Sequence, residues 1–154
     1  MARKVREYTV TDTGRDKGKT FMLTEMSASA AERWAMRAFF AMAKSGVLVP
    51  DEVKSLGIQG LAHMGLQSLS GVSFEDADPL LREMMECVQI IPDSRVPRRL
   101  VEDDIEEVKT RLILRREVFA LHTDFFTAAR TSKSNETPPT EAITTTKISH
   151  KRSA

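Results

Sequence analysis

The heptad of residues Gly14-Arg15-Asp16-Lys17-Gly18-Lys19-Thr20 carries the residue types of a phosphate-binding loop: two glycines, a lysine and a hydroxyl. In such a loop backbone N–H groups cradle phosphates and the lysine reaches the terminal ones. That chemistry needs four residues between the glycines and a helix directly after them, so that the helix N-terminus faces the anion. Here three residues separate the glycines, and the β-forming run Phe21-Met22-Leu23-Thr24 follows. The spacing therefore predicts a hairpin loop with exposed charges, and no nucleotide site.

The other chemically capable residues are scattered. His63, His122 and His150 lack the paired spacing of a zinc site, and Cys87 has no second cysteine to join it. No Gly-x-Ser-x-Gly nucleophile elbow is present. Cys87 reads as a buried structural thiol. The acidic cluster Glu102, Asp103, Asp104, Glu106 and Glu107 has the charge of a cation site, but it also suits a helix N-terminus, which favours negative charge. Arg95, Arg98 and Arg99 could touch phosphates, yet they stand beside that acidic cluster, which blunts such attraction. These readings predict a chain that is not an enzyme and holds no cofactor and no metal.

Composition narrows the class further. The chain has 154 residues, 41% hydrophobic and 29% charged, with a formal net charge of +1. Its length fits one domain with a tail, long enough to bury a core without disulfides or metal. The near-neutral balance argues against a whole-molecule nucleic-acid binder. A single Cys is compatible with a reducing compartment. The apolar stretch from Trp34 to Ala43 is too short to cross a bilayer and is interrupted by Arg37, so no membrane partner is expected.

The elements that must position these residues follow from periodicity. Val5 to Val10 and Lys19 to Thr24 alternate as two strands of an N-terminal hairpin. Ser29 with Glu32 predicts a capping box for a first helix that stops at Gly46. A second helical region opens at Pro50 and ends at Gly71, broken or closely packed at Gly57, Gly60 and Gly65. Asp78-Pro79 predicts the start of a third helix, with Asp as N-cap. Val88 to Ile91 and Val96 to Val101 form a second hairpin around Pro92-Asp93-Ser94.

The last helix starts in the acidic cluster and has two apolar stripes. Ile105, Val108, Leu112 and Phe119 form one, and Leu114, Val118, Leu121 and Phe125 the other. A helix apolar on two faces is sandwiched in a core or shared with a partner. After Thr127 the chain is rich in Thr, Ser, Lys and Pro, a composition that cannot offset ordering entropy. The expected fold is thus mainly α (α+β): a helical domain over residues 1–126 with its short hairpins, and a disordered tail over residues 127–154. Eight Met and seven Phe residues exceed what one small core easily absorbs. Arg33, Arg37, Phe40, Phe119, Leu121, Phe125 and Phe126 are accordingly the expected partner-binding residues.

The order of segments resembles the tail assembly chaperones of long-tailed (siphovirus-type) bacteriophages and prophages. The resemblance is carried by Gly18-Lys19-Thr20-Phe21 to Thr24-Glu25-Met26, then Ala31-Glu32-Arg33-Trp34-Ala35-Met36-Arg37-Ala38. It continues in Phe74-Glu75-Asp76-Ala77-Asp78-Pro79-Leu80-Leu81, Met84-Met85-Glu86-Cys87-Val88-Gln89-Ile90, Leu100 to Val108, and Val118-Phe119-Ala120-Leu121-His122. Together these span roughly residues 15–126, and none is a catalytic motif.

What the resemblance implies is a non-enzymatic assembly factor that coats the tape measure protein and keeps it soluble while tail tube subunits assemble around it. It implies residence in the host cytoplasm and absence from the mature virion. It also implies a longer form made by −1 frameshifting, whose extension recruits the tail tube protein. Self-association is compatible with the apolar surplus. The alternative reading is a small nucleic-acid-binding regulatory protein using Arg95, Arg98, Arg99 and the basic N-terminus.

Overall fold

The computed structural model describes residues 2–93 and 95–133, with side chains as far as Asp124 except at His63. The fold is mainly α with one antiparallel sheet of four strands in the order β1-β2-β3-β4. These are β1 (Val5–Thr9), β2 (Thr20–Thr24), β3 (Val88–Ile91) and β4 (Arg98–Arg99). Both expected hairpins are present, but they are not separate: β2 pairs with β3, with Leu23 opposite Val88 and Phe21 opposite Ile90. The two-residue period sends Phe21, Leu23, Val88 and Ile90 into the core. The opposite face carries Glu7, Thr9, Thr20, Met22 and Thr24, none of them buried.

Helix α1 (Ala28–Lys44) starts two residues earlier than the capping-box reading placed it. Ser27, not Ser29, is the N-cap, and its hydroxyl accepts the Ala30 N–H at 3.3 Å. The expected stop holds: Gly46 has φ 80, the Gly46 N–H reaches the Ala43 carbonyl at 3.2 Å, and the Val47 N–H reaches the Met42 carbonyl at 2.9 Å. Trp34, Ala35, Ala38, Phe39 and Met42 are buried.

The glycine-rich region breaks into α2 (Asp51–Ser55), α3 (Ile58–Met64) and a 3₁₀ turn, Leu66–Gly71. Gly57 and Gly65 sit at the breaks with φ 56 and 77, conformations that disfavour a side chain. Gly60 serves closeness instead. A Cβ there would stand 2.1 Å from the Val53 carbonyl oxygen, so only glycine lets α3 lie against α2.

Helix α4 (Phe74–Glu86) corrects the third-helix start. Ser73 is its N-cap, accepting the Asp76 N–H at 3.4 Å, and Pro79 lies inside the helix instead of opening it. Asp78 is not a cap; it forms an ion pair with Arg82 one turn on.

The last helix, α5 (Val108–Lys133), begins after the acidic cluster, which forms a 3₁₀ turn, Glu102–Asp104, and a short link. Its stripe Leu114, Val118 and Leu121 is core. It packs on β2 and α4, while α4 packs on β3 and α1. The helix continues to Lys133, beyond the expected boundary at 127. The remainder of the expected tail, 134–154, lies outside the described residues.

Candidate partner-binding surface

The polar groups that sequence spacing brought forward meet at one junction. Asp16 is 1% exposed, which corrects the reading of its loop as one of exposed charges. Its carboxylate accepts the Glu106 and Glu107 backbone N–H groups at 3.0 Å each, and the Lys19 ammonium donates to it at 2.8 Å. Burial opposes the charged form of Asp16. Lys19, the Glu106 N–H, the Thr110 hydroxyl and the Glu107 N–H outweigh it and hold the pKa at about 2. Lys19 also donates to the Asp104 carbonyl at 3.1 Å. The loop thus spends its lysine and carboxylate on the protein itself.

Asp104 corrects the reading of the acidic cluster as helix-end charge. It is 8% exposed and accepts Arg98 through both oxygens, at 2.8 and 2.7 Å, and the Val101 N–H at 2.7 Å. The Arg98 guanidinium holds its carboxyl below the ordinary range, against the effect of burial. Arg98 is therefore engaged, which removes the centre of the Arg95, Arg98, Arg99 set as a phosphate contact.

His122 is also internal in its bonding. Its Nδ1–H donates to the Val118 carbonyl at 2.8 Å, which leaves Nε2 to accept the Met26 N–H at 2.8 Å. Cys87 is buried, and burial, reinforced by the neighbouring Glu86 charge, pushes its thiol up to about 11. A thiol held there is a poor nucleophile near neutrality. Among the described residues no group of three or more His, Cys, Asp or Glu side chains is placed to hold a metal ion. None of their helices is long and apolar enough to cross a membrane.

What faces outward is the arginine side of α1. Arg33 and Phe40 are exposed, Phe40 at 66%, and Arg37 is half-buried in an ion pair with Glu83 of α4. Beneath them Trp34 Nε1–H donates to the Leu80 carbonyl at 2.9 Å, which fixes α1 against α4. The Lys44 ammonium meets Asp76 at 3.0 Å and closes one end of the seam. Between the helices lies a groove of about 290 Å³, with Phe40, Ala41, Pro79 and Leu80 in its lining. Its charges are Arg37, Lys44, Glu75 and Asp76. Phe74, at the first position of α4, is 75% exposed. The sequence reading gave Phe74 no role, because it placed the helix start at Asp78.

The α5 residues divide differently. Leu121 is 4% exposed and belongs to the core, so it is withdrawn as a contact residue. Phe119 is half-buried against that core. The side chains of Phe125 and Phe126 lie outside those described. On the other stripe Val108 and Leu112 are 75% and 56% exposed. Arg33, Arg37 and Phe40 thus come together on α1, apart in the chain from the α5 set.

No family model, curated protein or solved structure matches the chain.

Proposed function

We propose that this chain is a tail assembly chaperone of a long-tailed phage or prophage, which binds the tape measure protein and keeps it soluble while tube subunits assemble. The observation that supports the reading is Phe40: a large aromatic, 66% exposed in the middle of α1, beside an apolar groove rimmed by both charges. A tape measure presents long amphipathic helices that aggregate when bare. A groove with one aromatic anchor accepts such a helix through its apolar face. Weak contact repeated along a rod gives avidity and still yields to incoming subunits.

On this reading the protein acts in the host cytoplasm and is absent from the mature virion. A −1 frameshifted form carries an extension that recruits the tail tube protein, and self-association between copies spaces them along the tape. Co-expression with the tape measure protein of the same genome tests the central claim. The tape should be soluble with the wild-type chain and should precipitate with Phe40→Asp. A tape measure protein equally insoluble with and without the wild-type chain overturns the reading. Expression with the native downstream DNA should also give a minor longer product sharing this N-terminus.

A further inference from the structure

A second cleft, of about 720 Å³, lies where α4 and α5 meet the β3–β4 side of the sheet. Its apolar lining is Met85, Val88, Leu100 and Ile105. Three arginines line it from three segments: Arg82 of α4, Arg99 of β4 and Arg111 of α5. Arg82 is tied to Asp78. Arg99 and Arg111 have no side-chain ion pair or hydrogen bond among the described residues.

One turn along α5, Arg115 adds to this crowd. Its Nε is buried without a hydrogen-bond partner. Burial, and then the like charge of Arg111, hold its pKa below the usual arginine range, with Asp78 opposing. Like charges four residues apart disfavour a helix, and a buried donor without an acceptor costs its desolvation. Cations collected in this way around an apolar floor call for an anion that brings apolar surface with it. Glu86 and Glu102 also line the cleft and are not paired with these arginines. Their charge repels a phosphate backbone, which has nothing to place on the apolar floor. A peptide helix can place leucines on that floor and its carboxylates on the arginines.

We infer that this cleft docks an acidic amphipathic helix of a partner protein, with apolar side chains on Met85, Val88, Leu100 and Ile105 and carboxylates on Arg99, Arg111 and Arg115. The surface is distinct from the Phe40 groove and does not depend on the chaperone reading.

The test titrates the full chain with a synthetic helix of Leu and Glu in heptad order, and with its twin carrying Lys for Glu. Methyl NMR signals of Met85, Val88, Leu100 and Ile105 report the binding. The acidic helix should shift these signals, and salt should weaken it. Arg99→Glu combined with Arg111→Glu should weaken it at least tenfold at an unchanged thermal midpoint. Should that pair fail to fold, Arg99→Gln with Arg111→Gln serves, with a smaller loss in the same direction. Phe40→Asp should leave this binding unchanged. Equal binding of the lysine twin, or shifts confined to the Phe40 groove, would overturn the inference. So would stronger displacement of the same signals by single-stranded DNA, or by a second copy of the chain in a concentration series.

Discussion

The carboxylate of Asp16, in the β1–β2 loop, accepts the backbone N–H of Glu107 at 3.0 Å across a sequence separation of 91 residues. With the neighbouring Glu106 N–H and the Lys19 ammonium, this fastens the hairpin to the segment that leads into α5. Replacing Asp16 by Ala leaves buried donors without an acceptor and a lysine without its counter-charge. The expected loss is about 2–4 kcal/mol in urea unfolding.

The same carboxylate gives an acid dependence of known sign. Its folded pKa, about 2, is below the ordinary 3.8. A depressed carboxylate stabilises the fold above its unfolded pKa and loses that contribution as pH falls through the folded one. Wild-type stability should therefore drop by about 2 kcal/mol between pH 4 and pH 2 on this account alone. Asp16→Asn should flatten that part of the curve in pH-resolved denaturation.

Gly60→Ala should be among the costliest single changes outside the apolar core. The new Cβ would stand 2.1 Å from the Val53 carbonyl oxygen, which is backbone and cannot turn aside. Separating α2 from α3 should cost about 2–3 kcal/mol. Gly46→Ala meets nothing within 4 Å, so its cost comes from its positive φ alone and should be smaller. Thermal denaturation of the two variants side by side checks the order.

The two faces of α1 should separate cleanly. Phe40→Ala, at a position 66% exposed, should change stability by no more than about 0.5 kcal/mol. Trp34→Ala removes a side chain 2% exposed, together with its hydrogen bond to Leu80, and should cost about 3–5 kcal/mol. Leu121→Ala should cost about 2–5 kcal/mol, as a core position does. A cost at Leu121 as small as at Phe40 would return it to the surface.

His122 should carry its proton on Nδ1 in the neutral form, because the Met26 N–H donates to Nε2. Nitrogen chemical shifts measured at alkaline pH read this directly. His122→Phe leaves the Met26 N–H unpaired and should cost about 1–3 kcal/mol.

How far these features were legible depends on whether they are local. The alternation in Val5–Thr9 and Thr20–Thr24, the helix stop at Gly46 and the breaks at Gly57 and Gly65 are local and readable. Helix starts were misread where two signals competed. Ser27 has no acidic residue three positions on and yet caps α1, while Ser29 does and lies inside it. Pro79 suggested a first turn, but an interior proline near the N-terminus removes only one N–H, and Ser73 supplies the cap. The pairing of β2 with β3, and the joining of Asp16 to the acidic segment, connect residues far apart and leave no mark on periodicity. The exposed face of α1 was legible as Arg33, Arg37 and Phe40. Leu121 was not, since a stripe on α5 does not state which of its two sides meets the sheet.

The separation between Asp16 and Glu107 also orders events at the ribosome. At about 5–20 residues per second, the 91 residues between them take about 5–18 s to make. For that interval the nascent hairpin exists without its fastening, and without β3 to cover the second edge of β2. Codon choice between the two is thus a handle on yield: slow stretches there prolong the exposure of Phe21 and Leu23, and fast ones shorten it.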